Sequence, residues 1–156
     1  MNKKILIMTS TFPRHEGDSV TSFVLNQANA LKDLGWDVTV LTPHHSGASN
    51  WPKVLGDDSI QGYGTRSFIN NIPVIRFRYA PEACETLCYN GGALINLRKR
   101  PLDLLKLPLF LIGQLFAAIK EIRKSKKEGN PYDAIHAHWL IPQGFIAVLL
   151  KKIFAA

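Results

Sequence analysis

The apolar pattern of residues 3–41 predicts a strand, a helix and a second strand in succession. Residues 5–8 form an uninterrupted apolar run, which is typical of a buried strand. Apolar side chains then recur at helical spacing in residues 20–34, so they share one helical face, and Gly35 follows as a helix-ending glycine. A short β-branched run at 38–41 predicts the second strand. This βαβ unit indicates a parallel sheet with a right-handed crossover.

The rest of the chain continues this pattern less regularly. Residues 43–64 predict a loop, and alternating apolar and basic residues at 74–79 predict a strand with one face in water. Residues 101–127 are the longest helical candidate, residues 132–139 predict a short central strand, and residues 145–154 predict a strongly apolar helix. We therefore expect an α/β fold, a Rossmann-like parallel sheet with helices on both faces. Because the array ends on a helix whose apolar face needs a further strand, we expect the last strands of the sheet to be missing.

Composition fits one folded domain with a localised positive charge. The chain has 156 residues, of which 46% are hydrophobic, and its formal net charge is +7. Nine of the 19 basic residues lie in residues 98–127, opposed there only by Asp103 and Glu121, so this segment carries the whole excess. Attraction to phosphate-rich partners is therefore expected at this segment. Its lysines lie at a helix end rather than around aromatic stacking groups, so no nucleic-acid partner is expected.

The basic segment also contains a long apolar stretch. Residues 107–119 carry no formal charge, and as a helix they cover roughly 20 Å, less than the ~30 Å of a hydrocarbon core. We therefore expect no membrane-spanning helix here. Two interpretations stay open. The helix packs on the sheet with its lysine-rich end in water, or it also lies in the plane of a membrane with its basic residues at anionic head groups.

Cellular location and metal chemistry are constrained by short patterns. The apolar run at 5–8 is too short for the hydrophobic region of a signal peptide, so a cytoplasmic location is expected. Cys84 and Cys88 lack companion cysteines or histidines at zinc-site spacing, which favours ordinary thiols. The pair His44 and His45 has no carboxylate or cysteine cluster beside it, so a solvated loop pair or a pair at the edge of a site is favoured over metal ligands. No metal site is predicted.

The loop after the first strand is the first candidate site, because ligands of such folds bind beyond the carboxyl ends of strands. In residues 9–19, Gly17 permits close backbone approach, and Asp18 or Ser19 can cap the following helix. The free N–H groups of that helix end suit an anion. The loop contains neither GxGxxG nor GxxxxGK[ST], so a dinucleotide fingerprint and a P-loop are not supported. A capped structural loop and an anion- or sugar-facing loop both stay open.

The second candidate site follows the predicted strand at 132–139. His136 and His138 point to the same face of that strand. We expect His136 to be a hydrogen-bonded core histidine, whereas His138 lies towards the strand end. Together with Trp139 and Gln143 it offers an aromatic ring and hydrogen-bonding groups that suit a polyhydroxyl ligand. A zinc pair is not favoured, because no third ligand is evident.

Three blocks of this sequence resemble the N-terminal domain of the family 4 (group 1) glycosyltransferases of the GT-B fold. They are KKILIMTSTFPRHEGDSVTSFVLNQANALKDLGWDVTVLTPH, NGGALINLRKRPLDLLKLPLFL and YDAIHAHWLIPQGFIAVLLKK. The resemblance covers essentially the whole chain. It implies one of two Rossmann-like domains that enclose the active site, the N-terminal one holding the sugar acceptor and the C-terminal one the nucleotide-sugar donor. It also implies retention of anomeric configuration, no metal or other cofactor, and frequently a peripheral position at the inner membrane in lipid or polysaccharide biosynthesis.

The resemblance assigns residues to the two sides of the cleft. Gly17, Asp18 and Ser19 match the glycine-rich loop near the donor phosphates, although Glu-Gly-Asp at 16–18 stands where many members have consecutive glycines. The residues expected on the acceptor side are Arg14, His138, Trp139 and Gln143.

Part of the family pattern lies outside the sequence. The donor-binding domain with its E-x7-E pattern is absent, and so is the strand that carries a further histidine near the reacting sugar. Residues 1–156 are thus expected to form the acceptor-side domain, incomplete at its C-terminus, with no assignable catalytic residue. Because transition-state stabilisation would come mostly from the other half, we expect this chain alone to be inactive. The alternative is a non-catalytic sugar- or anion-binding module of the same fold.

Overall fold

The described residues form a five-stranded sheet between helices. A computed structural model describes residues 3–15, 17–18, 22–46, 65–89 and 92–154. The strands are β1 (Lys4–Met8), β2 (Asp37–Pro43), β3 (Thr65–Ile69), β4 (Ile72–Phe77) and β5 (Ala134–Ala137). The helices are α1 (Ser22–Asp33), α2 (Ala93–Lys99), α3 (Leu107–Lys127) and α4 (Phe145–Phe154).

The strand order places a topological switch point beside β1. The order is β3-β4-β2-β1-β5, in which β1, β2, β4 and β5 are parallel and β3 is antiparallel to β4. The chain therefore builds outward from β1 through β2 to β4, and then returns to the other side of β1 as β5. The carboxyl ends of β1 and β5 flank the point where the order reverses, which is where open α/β sheets bind ligands.

Helices cover both faces of the sheet, which confirms the predicted α/β class. On one face, Val24 and Ala28 of α1 are fully buried against the side chains of Ile7 and Val40. On the other face, α3 and α4 pack on the sheet through apolar side chains, among them the fully buried Leu150. The apolar run of β1 follows from this arrangement, because a parallel strand covered on both faces has no wet side.

The first helix agrees with its sequence pattern at its carboxyl end. It begins at Ser22 and ends before Gly35, which has a φ of +84°, a left-handed conformation that glycine adopts at little cost. Ser19, proposed as a cap of this helix, lies outside the described residues.

The hairpin of β3 and β4 was missed by the sequence analysis. Asn70 and Asn71 connect the two strands with φ values of 50° and 57°. Two successive positive φ values characterise the tight turn whose twist matches that of paired strands, and asparagine tolerates this conformation better than most residues. The Asn-Asn pair was therefore the available signal.

The prediction that β4 has one wet face is wrong at Arg76. Arg76 is only 3% exposed, and its guanidinium donates to the carbonyl oxygen of Pro13 at 2.6 Å and to the Tyr89 hydroxyl at 2.9 Å. These acceptors replace water around a buried cation. The basic residue in the alternating pattern thus connects the loop after β1 to β4.

The strand β5 lies at an end of the described strand order, so it is central only if the further strand predicted beyond α4 pairs with it. It is held to β1 by the parallel ladder and, just before it, by the backbone N–H of Lys4, which donates to the Asp133 carboxylate at 2.7 Å. A hollow of about 500 Å³ lies beside it, lined in part by Ile135, Leu150 and Phe154. The further strand expected against the apolar face of α4 stays a prediction.

The helical segment Pro101–Lys127 is longer than its uncharged centre suggested. A 3₁₀ turn, Pro101–Lys106, runs directly into α3, and the joined segment is long and apolar enough to cross a membrane by length and composition alone. The expectation that it is too short is therefore wrong. One face of α3 packs on the sheet, and a β-carbon at Gly113 would lie 2.7 Å from the carbonyl oxygen of Arg78. Only glycine permits so close an approach to the end of β4.

Candidate functional site

The candidate site is a crevice between the loops that leave β1 and β5. The N–H of His138 donates to the carbonyl oxygen of Met8 at 2.8 Å, and the N–H of Thr9 donates to that of Leu41 at 3.0 Å. Both loops therefore leave the sheet from fixed backbone positions. The Thr9 hydroxyl then donates to the carbonyl oxygen of Thr11 at 2.9 Å, which turns the first loop back on itself.

The side chain of Gln143 links these two loops through hydrogen bonds. Its side chain is fully buried. With its amide oriented to satisfy both neighbours, its Oε1 accepts from the N–H of Ser10 at 3.0 Å and its Nε2 donates to the carbonyl oxygen of His138 at 3.2 Å. The structure thus places Gln143, predicted to contact an acceptor, where its amide fixes the distance between the loops.

The ring of His138 lies on the side of the sheet covered by α1. It makes edge contacts with Phe23, 5.8 Å between ring centroids, and with His136, 4.7 Å between centroids. Its Nε2 is buried and has no hydrogen-bond partner among the described residues. Burial and the neighbouring His136 ring both lower the pKa of His138 below its ordinary value, so the imidazole is neutral at physiological pH. A neutral ring with an unused nitrogen can donate to or accept from a hydroxyl group.

His136 in β5 and His138 just after it point to the same side of the sheet, as the strand period predicts. The Nε2 of His136 lies 3.5 Å from Nε2 of Gln27 on α1, and the ring is partly buried. The contact with Gln27 fits the predicted hydrogen-bonded histidine, but the partial burial does not make His136 a core residue.

Trp139 lies on the other side of the crevice from His138. It has a φ of +79°, which is uncommon for a non-glycine residue, and its side chain is 57% exposed. It borders a pocket of about 430 Å³ whose walls are mostly apolar. Besides Trp139 the lining comprises Ser10, Thr11, Leu87, Cys88, Gly92, Ala93, Leu97, Leu107, Phe110, Ile141 and Pro142. His138 thus contacts Phe23 of α1, whereas Trp139 borders this pocket, so the two side chains have different surroundings.

The loop after β1 is closed by an ion pair. The guanidinium of Arg14 donates to both carboxylate oxygens of Asp18, from Nε at 2.7 Å and from Nη2 at 3.1 Å, and its backbone N–H donates at 2.9 Å. The hydrogen bond to Asp18 raises the pKa of Arg14 above its usual range. Gly17 is exposed with a φ of +78° and has open space around it. Arg14 and Asp18, predicted on opposite sides of the cleft, thus form one structural unit.

A buried polar cluster behind this loop was not anticipated. His44 and His45 are 6% and 7% exposed, so the solvated alternative is wrong, and a pair at the edge of a site stays a prediction. His44 Nδ1 lies 2.7 Å from the fully buried carboxylate of Glu85, which also accepts from Arg78 Nε at 2.9 Å. Burial, with the charge of Arg14 and the neighbouring His44, lowers the pKa of His45. No short-range signal links position 85 to position 44, because a long chain segment separates them.

Thiols and metal ligands offer little chemistry at the site. In the described part of the chain no group of three or more histidine, cysteine, aspartate or glutamate residues could hold a metal ion. Cys84 is exposed, whereas burial raises the pKa of the Cys88 thiol to about 12. A thiol with that pKa is protonated at neutral pH and is a poor nucleophile.

Comparisons with known proteins give a likeness of fold only. No family model and no curated protein sequence matches the chain. Two solved structures of sucrose-phosphate synthase from Thermosynechococcus elongatus resemble it, each with a TM-score of 0.48 and an alignment that covers 97% of this chain. The identities are 18% and 20%, and the chain spans 31% and 59% of those chains. Values this low carry no argument about activity.

Proposed function

We propose that this chain is the acceptor-binding domain of a retaining glycosyltransferase of family 4 with the GT-B fold. The observation that carries the proposal is the crevice at the switch point between β1 and β5, whose two loops are linked by the buried side chain of Gln143. Open α/β sheets bind their ligands at this position. The sequence resemblance supports the same assignment, because its first and last blocks supply the two loops of the crevice.

In this proposal the chain orients an acceptor hydroxyl. The neutral imidazole of His138 has a buried Nε2 without a partner among the described residues, and an acceptor hydroxyl would supply one. The exposed Gly17 leaves the loop after β1 open to a partner domain. Arg14 and Asp18 neutralise each other, so they shape this loop rather than present a net charge to a phosphate.

The donor half of the cleft is proposed to come from another domain. A nucleotide-sugar as donor substrate needs a second wall that neutralises the leaving diphosphate, and the crevice residues that the structure describes do not supply that charge pattern. We therefore propose that this chain performs no transfer by itself, and that it works in the cytoplasm, in polysaccharide or lipid glycosylation.

Product formation with and without a donor half tests the proposal. The purified chain is incubated with UDP- and GDP-linked hexoses and an extract of glycans and lipids from its own host. The reaction is run with the chain alone and with the chain paired with a donor-binding domain. Mass spectrometry should detect a hexose-extended product only when both halves are present. Binding of sugars by the chain, with no transfer in either mixture, would favour the non-catalytic sugar- or anion-binding module instead.

A further inference from the structure

A second hollow, of about 390 Å³, lies between α2 and the segment that follows β4. A 3₁₀ turn of that segment, Glu82–Cys84, contributes to its wall. Five of the six lining side chains are polar or charged, unlike those of the mostly apolar pocket beside Trp139. The lining residues are Ser46, Ala83, Thr86, Asn96, Lys99 and Arg100. We call this space the polar hollow.

The polar hollow is separate from the crevice. Ala93 and Leu97 of α2 line the pocket beside Trp139, whereas Asn96 and Lys99 of the same helix line the polar hollow. The two spaces share no lining residue among the described part of the chain. A ligand in the polar hollow would therefore occupy a site of its own, and the crevice could be filled at the same time.

Hydrogen bonds hold the walls of the polar hollow in place. The backbone N–H of Ser46 donates to the carbonyl oxygen of Glu85 at 3.0 Å. The amide nitrogen of Asn96 donates to the carbonyl oxygens of Leu87 at 3.2 Å and of Tyr89 at 2.9 Å. Both donors of this amide are thereby engaged, so its oxygen is the atom that can accept from a ligand hydroxyl. Walls fixed before binding lower the entropic cost of holding a small ligand.

The buried carboxylate of Asp103 neutralises one cation beside the polar hollow. One of its oxygens lies 2.8 Å from Nζ of Lys106, and the other accepts from the Thr86 hydroxyl at 2.7 Å. These hydrogen bonds, the one from Lys106 first, lower the pKa of Asp103, so the carboxyl is ionised at neutral pH. Because both of its oxygens are engaged, Asp103 offsets Lys106 and leaves the other basic residues uncompensated.

Those other basic residues are Lys99 and Arg100. Both side chains are exposed, and neither forms an ion pair with a described residue. Glu82 begins the turn after β4 but does not line the polar hollow. Two adjacent uncompensated cations at a concave, polar surface produce a positive potential that attracts anions.

The donor set of the polar hollow matches a phosphate group. A guanidinium presents its N–H groups as a planar fork that binds two phosphate oxygens at once, and an ammonium adds a point charge. The hydroxyl of Ser46 can donate to a further oxygen. The volume falls within the ~300–1,000 Å³ of small-molecule sites, so it leaves room for an organic group on the phosphate. Because the walls are polar, that group is small and polar rather than an acyl chain.

We propose that the polar hollow is a binding site for a small, polar phosphate monoester, with Lys99 and Arg100 at the phosphate and Asn96 accepting from a hydroxyl group of the ester. The site does not rest on the proposed transferase activity. Its test measures binding by the chain alone, so its failure would leave the proposed function unaffected.

Calorimetric titration at low salt tests the polar hollow with glycerol 2-phosphate, inorganic phosphate and glycerol as probes. Glycerol 2-phosphate should bind severalfold more tightly than inorganic phosphate, and glycerol should not bind measurably. K99Q/R100Q should weaken binding of glycerol 2-phosphate by about tenfold or more, because it removes the charge-assisted hydrogen bonds. Ala83 is exposed and lines the hollow, so A83W should fill it and weaken binding similarly.

Matched controls separate the polar hollow from general attraction to a basic protein. K151Q/K152Q removes two exposed, adjacent charges from α4, and A93W adds the same ring to the pocket on the crevice side of α2. Both should bind glycerol 2-phosphate as the wild type does, and circular dichroism verifies that each variant is folded.

Four results would overturn the proposal. They are no binding of glycerol 2-phosphate by the folded wild-type chain, equal affinities for glycerol 2-phosphate and inorganic phosphate, unchanged binding by folded A83W, and an equal loss of affinity in K99Q/R100Q and K151Q/K152Q. The last of these would assign the attraction to net charge and not to the polar hollow.

Discussion

The carboxylate of Glu85 and the imidazole of His44 form a 2.7 Å contact inside the protein, between the end of β2 and the segment after β4. Glu85 is fully buried, and it also accepts from the backbone N–H of Tyr79 at 3.0 Å and from Arg78 Nε at 2.9 Å. Burial alone would raise the pKa of Glu85, but the hydrogen bonds from His44, Tyr79 and Arg78 outweigh it and hold the pKa below its ordinary value. Because a carboxylate only accepts, Nδ1 of His44 carries the proton in this contact.

We expect Glu85→Gln to destabilise the fold by about 3 kcal/mol at pH 7, because it leaves buried donors around a neutral amide. A depressed folded-state pKa gives stability that is present above the ordinary pKa of 4.5 and is lost as the pH falls below it. The difference between wild type and variant should therefore shrink below pH 4.5. Urea unfolding at pH 7 and at pH 4 measures it. Glu128→Gln, at an exposed ion pair, should change stability by less than about 0.5 kcal/mol at either pH. A pH-independent difference would contradict this account.

Gln143→Ala should separate the two crevice loops. It removes the hydrogen bonds to the N–H of Ser10 and to the carbonyl oxygen of His138, at a cost of about 2–3 kcal/mol in stability. The Ser10 amide should also exchange with deuterium faster in the variant than in the wild type, while amides in the centre of β1 keep their wild-type rates. Hydrogen-exchange mass spectrometry checks the local effect and thermal unfolding the global one. Unchanged exchange at Ser10 would show that the loops are held by other contacts.

Gln114→Leu should raise the stability of the fold, in contrast to the two previous substitutions. Gln114 is fully buried in α3, and neither its amide oxygen nor its nitrogen has a hydrogen-bond partner among the described residues. Leucine removes this desolvated amide with little change in volume, so we expect a gain of about 1 kcal/mol. Chemical denaturation gives the value. A loss of stability would indicate that the amide has a partner in solution, such as an ordered water molecule.

Under the proposed function, His138→Ala in the chain paired with a donor domain should impair transfer through acceptor binding, raising the acceptor KM or lowering kcat. His138→Phe keeps the ring contact with Phe23 but removes the nitrogens, so it should fold normally and show the same kinetic defect. Because the pKa of His138 is lowered by burial and by His136, the wild-type contribution should persist below pH 6.5. Wild-type kinetics in both variants would remove His138 from the acceptor site.

The fold follows from local patterns where one residue period dominates. The apolar run of β1, the helical spacing of α1 and the glycine at 35 each specify their element without reference to the rest of the chain. The alternation at 74–79 predicted the strand but not the environment of Arg76, since a pattern records polarity and not the acceptors that a fold can bring to a guanidinium.

The candidate site shows the same division. The sequence by itself determined the α/β class, the position of both loops beyond strand ends, and the common face of His136 and His138. Only the tertiary structure decided that Gln143 links the two loops and that Glu85 contacts His44. The physical reason is that periodicity is local, whereas hydrogen-bond partners and burial depend on contacts between segments far apart in the chain.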